Sequence, residues 1–118
     1  LSEGKAKSLF ETEKHEELLM VYRDDTSAFD GKKKEALKGK GEINNIFNAH
    51  IMDYLANNGV ETHHLKTVSE NESLVQRLDM LPVECVVRNI ATGSICRRLG
   101  VEQGLNFEEP LFEFFLKH

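Results

Sequence analysis

Two short segments near the start of the chain carry strand-like patterns of apolar and polar residues. Residues 5–12 alternate loosely after Gly4, and residues 18–23 form a compact, mainly apolar run. Both patterns are typical of β-strands, and the polar residues 13–16 between them suit a turn. The sequence therefore predicts an antiparallel hairpin.

A longer helical pattern follows. From Glu42 to Asn58, apolar residues recur at steps of three and four, which predicts one buried stripe on an α-helix. The stripe consists of Ile43, Ile46, Phe47, Ile51, Tyr54 and Leu55. Asn57, Asn58 and Gly59 supply a left-handed stop. Before the helix, short polar residues at 24–27 and scattered glycines predict an ordered loop.

The second half of the chain reads mainly as strands. The predicted elements are a hairpin of 60–68 and 74–78 with a turn at 69–72, a strand at 83–90, a short helix at 95–99, and a strand at 112–116. Ser94 is expected to cap the short helix and Gly100 to end it. The predicted fold class is α+β, a mainly antiparallel sheet with one long helix.

Composition and charge exclude several classes of protein. The chain has 118 residues and a net charge of −5, which disfavours binding of a nucleic acid polymer. Its longest apolar run, residues 18–22, is too short to span a bilayer, so we expect no membrane association and a cytoplasmic location. Cys85 and Cys96 lack metal or redox spacing and are expected to be reduced and packed.

Two lysines close to Gly4 are the first candidate site. If Lys5 and Lys7 lie on one strand, their ammonium groups share a face and suit a polyphosphate. An ordinary solvated pair on an edge strand is the more frequent explanation of this spacing. The sequence also lacks the full pattern of a phosphate-binding loop.

Arg88 and Ser94 form a second candidate site for an anion. Arg88 lies near the end of a predicted strand, and Ser94 opens the short helix six residues later. A guanidinium, a hydroxyl and a helix start would together suit one phosphate group. Equally, Ser94 is a plain helix cap and Arg88 a partner of Glu84 or a surface charge.

Other polar clusters carry weaker signals. Asp24, Asp25 and Asp30 are sugar-binding acceptors or, more commonly, turn-formers that cap the neighbouring backbone. Residues 32–34 are three lysines, which usually form a solvated face. His63 and His64 point to opposite sides of a strand and are poorly placed to share a metal.

Four blocks of sequence together resemble one enzyme family. The blocks are residues 3–7 (Glu-Gly-Lys-Ala-Lys), 23–31 (Arg-Asp-Asp-Thr-Ser-Ala-Phe-Asp-Gly), 39–45 (Gly-Lys-Gly-Glu-Ile-Asn-Asn) and 81–94 (Leu-Pro-Val-Glu-Cys-Val-Val-Arg-Asn-Ile-Ala-Thr-Gly-Ser). They resemble the phosphoribosylaminoimidazole-succinocarboxamide synthase, or SAICAR synthetase, family over essentially the whole chain.

The resemblance implies an ATP-dependent carbon–nitrogen ligase of de novo purine biosynthesis. Such an enzyme joins L-aspartate to carboxyaminoimidazole ribonucleotide and releases ADP and phosphate. Mg²⁺ is expected to bridge the ATP phosphates. The alternative is a non-catalytic module that binds anions, nucleotides or nucleic acid, and the acidic net charge argues against nucleic acid.

The resemblance also assigns residues. It implies that Lys5, Ala6 and Lys7 surround the ATP phosphates, with Lys7 and Lys117 as catalytic residues. It places Leu78 and Met80 near adenine. The ribonucleotide would be held by Asp30, Arg88 and Ser94, the last two at its 5′-phosphate.

The resemblance implies a larger protein as well. The family's second signature motif, which supplies acidic residues, is absent from this sequence. We therefore expect no metal ligand here and expect the Mg²⁺ ligands to lie outside this chain. The expected organisation is the N-terminal ATP-binding lobe at 1–80 and the start of a ribonucleotide-binding domain at 81–118. These belong to a two-lobed, kinase-like or ATP-grasp-like ligase whose C-terminal lobe is expected to be missing from this chain or truncated. Family members also suggest a homodimer.

Overall fold

The computed structural model describes residues 1–28 and 33–117. Within them the chain forms two compact units, Leu1–Asp79 and Met80–His118. The predicted boundary lay between residues 80 and 81, and the roles assigned to the two segments stay predictions. The α+β fold class is confirmed, since antiparallel sheets and a long helix make up the structure.

A five-stranded antiparallel sheet is the centre of the first unit. Its strands are β1 (Ser2–Glu3), β2 (Lys7–Glu11), β3 (Glu17–Tyr22), β6 (His64–Ser69) and β7 (Glu72–Gln76), in the order β1-β2-β3-β7-β6. Alternate residues of β3, namely Leu18, Met20 and Tyr22, point into the core and pack with Val75. The antiparallel pairing of β2 with β3 confirms the predicted hairpin, and the inward residues of β3 supply most of this core.

The segment predicted as an ordered loop contains two further strands. β4 (Asp25–Ala28) and β5 (Lys33–Ala36) pair antiparallel as a separate two-stranded sheet. The prediction was wrong here because these strands are short and mostly polar, so no alternation of apolar residues indicates them.

The long helix α1 (Lys40–Asn57) confirms the predicted element but not its buried stripe. Ile43, Ile46, Phe47 and Tyr54 are each more than 60% exposed, and Ile51 is 41% exposed. The buried residues of α1 are instead Gly41 and Asn45. The periodicity predicted an apolar face of α1 correctly. Within the described residues, however, the sheet packs against the face of α1 that carries Gly41 and Asn45.

Asp24 fixes the start of α1. Its Oδ1 accepts a hydrogen bond from the Gly41 amide at 2.8 Å, and its Oδ2 accepts one from the Gly39 amide at 3.3 Å. Carboxylates stabilise helix starts because the first amides lack partners within the helix. The capping interpretation of Asp24 is therefore confirmed. At the other end, Gly59 has φ 84°, as the predicted stop requires.

The second unit is a two-stranded ribbon with a short helix. β8 (Val83–Ile90) pairs antiparallel with β9 (Asn106–Leu116), and α2 (Ser94–Leu99) lies between them in the chain. The outward face of the ribbon is apolar and exposed at Val87, Phe112, Phe114 and Leu116. Cys85 is also exposed and free, so the expectation that both cysteines are packed was wrong for it.

Neither helix within residues 1–28 and 33–117 is both long and apolar enough to cross a membrane.

Candidate functional site

The lysine pair lies on a tight turn between β1 and β2. Glu3 pairs with Ser8, so the chain reverses through residues 4–7, and the Gly4 amide donates to the Lys7 carbonyl at 2.8 Å. Lys5 lies in the turn itself, while Lys7 begins β2. The prediction that both lysines share a strand face was therefore wrong for Lys5. The structure keeps the two residues together, but on a reversal of the chain.

Arg23 holds this turn from the end of β3. Its guanidinium donates to the Gly4 carbonyl at 2.6 Å, the Lys7 carbonyl at 3.2 Å and the Ser8 hydroxyl at 2.6 Å. Its backbone amide donates to the Ala6 carbonyl at 2.8 Å. Sequence reasoning placed Arg23 in a family-like block but gave it no role. The long-range register that brings it to the turn has no signature in local sequence.

A cavity of about 400 Å³ opens beside the turn. Ala6 and Lys7 line one side of it, and Asn44 and Phe47 of α1 line the other. The Lys7 ammonium lies 5.8 Å from the centroid of the Tyr22 ring, within the range of a cation–π contact. Burial raises the pKa of the Tyr22 phenol, so this ring stays neutral beside the cation.

Leu78 and Met80 lie on the segment that follows β7. Leu78 is 47% exposed and Met80 is 70% exposed. Leu78 belongs to the first unit and Met80 to the second. Both side chains are thus accessible, and their contact with adenine stays a prediction.

Arg88 and the loop before Ser94 are brought together in the second unit. The Arg88 guanidinium donates to the Thr92 carbonyl, two residues before Ser94, at 3.0 Å. The cap of α2 is Gly93, with φ 71°, and no side-chain capping hydrogen bond is made there. Ser94 is therefore the first helical residue, and the prediction that its hydroxyl caps the helix was wrong. Glycine takes the cap because that position adopts the left-handed half of backbone space.

Glu113 binds two arginines at once. Its carboxylate accepts from Arg88 Nε at 2.8 Å and from both terminal nitrogens of Arg98 at 2.6 and 3.1 Å. These hydrogen bonds, those from Arg98 first, lower the pKa of Glu113 to about 2. The partner of Arg88 is thus Glu113 of the facing strand and not Glu84. Glu113 lies opposite Val86, one diagonal step from Arg88.

The remaining predicted residues are separate from these clusters. Asp30 lies outside the described residues. Lys117 follows β9, where its backbone amide donates to the Pro82 carbonyl at 2.8 Å, and its side chain is exposed. Across residues 1–28 and 33–117, no group of three or more His, Cys, Asp or Glu residues is placed to hold a metal ion.

The fold and its basic clusters define an α+β protein with a lysine-bearing turn in one unit and an arginine cluster in the other. A family model described as SAICAR synthetase matches residues 1–118. The chain belongs to the SAICAR synthetase family.

Two relatives show how similar the sequence is. A phosphoribosylaminoimidazole-succinocarboxamide synthase from Alcanivorax borkumensis is 65% identical over 114 residues, which cover 97% of this chain and 48% of that protein. The protein of the same name from Nitrosococcus oceani is 61% identical over 117 residues, covering 99% and 49%. The chain spans about half the length of the curated relatives it matches.

Solved structures agree with the fold. A structure described as SAICAR synthetase (Type-2) in complex with ADP is 38% identical, with a TM-score of 0.94 over 99% of this chain and 50% of that one. Phosphoribosylaminoimidazole-succinocarboxamide synthase from Ehrlichia chaffeensis is 33% identical, with a TM-score of 0.96 over 100% and 50%.

Proposed function

We propose that this chain supplies the N-terminal part of an ATP-dependent ligase of de novo purine biosynthesis. The reaction joins L-aspartate to carboxyaminoimidazole ribonucleotide and gives SAICAR, ADP and phosphate. The observation that carries the proposal is the family match over all 118 residues. A cytoplasmic location and a homodimeric assembly go with this proposal, as the family resemblance leads us to expect.

The proposed chemistry has two steps. The substrate carboxylate takes the terminal phosphoryl group of ATP, which forms an acyl phosphate and releases ADP. The aspartate amine then attacks the acyl carbon, the bond from that carbon to the phosphate oxygen breaks, and the amine loses a proton as the amide forms. In such reactions the protein contributes mainly positioning and neutralisation of charge.

The turn at residues 4–7 is the proposed site of the ATP phosphates. Lys5 and Lys7 bring two positive charges to one short reversal of the chain, beside the cavity that Lys7 lines. A related structure, 38% identical, is described as a complex with ADP, which supports nucleotide binding by the complete protein. We assign Lys7 the catalytic role of neutralising phosphate charge during transfer, with Ala6 as a backbone contact.

Arg88 and Ser94 are the proposed contacts to the 5′-phosphate of the ribonucleotide. A guanidinium carries five N–H donors, and Arg88 directs one to Glu113 and one to Thr92. The Ser94 hydroxyl makes no capping bond. Donors on both side chains thus remain for a phosphate.

The other assignments complete the proposal. Leu78 and Met80 would contact adenine, Asp30 the ribonucleotide, and Lys117 the triphosphate. Mg²⁺, when bound, would neutralise negative charge on the phosphates. The family resemblance leads us to expect Mg²⁺ ligands outside this chain, so residues 1–118 by themselves should bind nucleotide without turnover.

The proposal is tested on the protein expressed from its complete gene. Formation of SAICAR from ATP, L-aspartate and carboxyaminoimidazole ribonucleotide is followed for the wild type and for Lys7→Ala. We expect Lys7→Ala to lose turnover far more than thermal stability. Lys14→Ala, which removes an exposed lysine from the next turn, is the matched control and should keep full activity.

A second variant tests the proposed ribonucleotide contacts in the second unit. Arg88→Ala should raise the KM for the ribonucleotide by about one to two orders of magnitude, the range for a lost charge-assisted phosphate contact. An unchanged KM would remove Arg88 from the phosphate site. If the wild type binds ATP in calorimetry but forms no product, the non-catalytic nucleotide-binding alternative replaces the ligase.

A further inference from the structure

Arg23 contacts nearly every part of the lysine-bearing turn. Three separate groups accept from its guanidinium, namely the carbonyls of Gly4 and Lys7 and the hydroxyl of Ser8. The Ala6 carbonyl accepts from its backbone amide. Only a quarter of the Arg23 side chain is exposed, and Asp25 lies 3.4 Å from its Nε. The hydrogen bonds therefore fix its position, while Nε faces the Asp25 carboxylate without a hydrogen bond.

These contacts determine which way the peptide groups of the turn face. In a trans peptide the C=O and N–H bonds point in opposite directions, and the described part of the chain has no cis peptide bond. Because the Gly4 carbonyl points at Arg23, the Lys5 amide of the same peptide points away from it. The same argument applies to the Ala6 carbonyl and the Lys7 amide. Arg23 thus orients the carbonyl oxygens of Gly4 and Ala6 towards itself. These oxygens would repel an anion, and they are kept away from the side that the amides face.

Arginine suits this role better than lysine. Its planar guanidinium holds several donors in a fixed fork and stays charged, whereas a lysine ammonium is a single flexible point charge. At Arg23 one terminal nitrogen contacts Lys7 and Ser8 while the other contacts Gly4. A lysine at this position would lose the simultaneous contact with both ends of the turn.

We propose that Arg23 is a positioning residue that orients the turn at residues 4–7 for the phosphates of ATP. It acts through the turn and does not itself touch the nucleotide. The inference rests on the proposed function, because it requires the turn to be the phosphate site.

The test uses Arg23→Lys in the protein expressed from its complete gene. We expect the Kd for ATP and the KM for ATP to rise about ten-fold or more, as for a lost charge-assisted contact. The affinity for adenosine, which lacks phosphates, and the KM for the ribonucleotide should stay within two-fold of wild type, on the order of experimental scatter. Ser8→Ala removes a single acceptor of the fork and should give a smaller rise, about two- to five-fold.

Arg77→Lys is the matched control. Arg77 has the same side-chain exposure of 25%, lies at the opposite end of the same sheet, and donates to the His15 carbonyl at 2.6 Å and to Glu11 at 3.2 Å. Arg77→Lys therefore also removes an arginine–backbone contact, but at a distance from Lys5 and Lys7. Its ATP parameters should match the wild type.

The outcomes distinguish failure of the positioning role of Arg23 from failure of the proposed function. If Lys7→Ala leaves ATP binding intact, the turn is not the phosphate site and the proposed function fails at that point. If Lys7→Ala weakens ATP while Arg23→Lys and Ser8→Ala do not, the positioning role alone is wrong. Equal losses for ATP and adenosine would show a purely structural role and would also overturn it. Should Arg23→Lys fail to fold, Ser8→Ala decides the question by the same ratio of ATP to adenosine affinity.

Discussion

Asn45 offers the sharpest test of how the long helix is held on the sheet. Its side chain is fully buried, and its amide nitrogen donates to the carbonyls of Ser69, Glu70 and Glu72 at 3.1, 3.0 and 3.3 Å. Its side-chain oxygen accepts from the Ser73 hydroxyl. One side chain of α1 therefore supplies hydrogen bonds to the backbone carbonyls at the turn between β6 and β7.

The cost of Asn45→Ala follows from these contacts. The two N–H groups are shared among three carbonyls, so the deletion removes about three effective hydrogen bonds, including that from Ser73. With a net value of about 1 kcal/mol per bond, and a penalty of about 1–3 kcal/mol for a buried group left unpaired, we expect a loss of roughly 4–6 kcal/mol. Asn45→Asp should cost more at neutral pH, because a buried carboxylate would face three carbonyl oxygens.

The assay is urea unfolding of the protein expressed from its complete gene, combined with amide hydrogen exchange of α1. Exchange isolates the local loss if the two units unfold separately. Asn58→Ala serves as the control, since Asn58 donates to the Tyr54 carbonyl at 2.8 Å at an exposed helix end. If Asn45→Ala costs no more than Asn58→Ala and leaves α1 exchange unchanged, the reasoning is refuted.

Two further predictions concern the helix start and the arginine cluster. Gly41→Ala should lower the melting temperature despite the helix propensity of alanine, because its Cβ would lie 2.5 Å from the Tyr22 carbonyl oxygen; an unchanged or higher midpoint in thermal unfolding would contradict this. The pKa of Glu113 is depressed in the folded state from 4.5 to about 2, so its ion pairs stabilise the fold above pH 4.5 and are lost as the pH falls towards 2. An NMR titration of the Glu113 carboxyl that shows a midpoint near 4.5 would disprove that statement, and Glu113→Gln should remove this part of the acid dependence.

Most of the elements were predictable because local patterns specify them. The compact apolar run at 18–23, the three-and-four spacing in α1 and the strand pattern at 83–90 each identified an element correctly, whereas β4 and β5 were missed. What covers an apolar face is a different question, which periodicity does not address. The exposed face of α1, with Phe47 63% exposed, shows that the sequence predicts a face without naming its partner.

The surroundings of the candidate residues were much less predictable. The family-like blocks drew attention to Lys7, Arg88 and Ser94, yet their immediate partners come from distant parts of the chain. Arg23 reaches the turn across 19 positions to Gly4, and Glu113 reaches Arg88 across 25. Such contacts depend on strand register, which is fixed only when the whole sheet has formed.

Asp24 also has a consequence for how this part of the molecule tolerates change. Its backbone carbonyl accepts from the Leu37 amide at 2.9 Å, and its carboxylate holds the amides of Gly39 and Gly41. The chain therefore leaves the sheet at Asp24 and returns to the same residue before α1 begins. A residue inserted or deleted between Leu37 and Gly41 would break these bonds and shift α1 on the sheet, so natural variation in length should stay rare there.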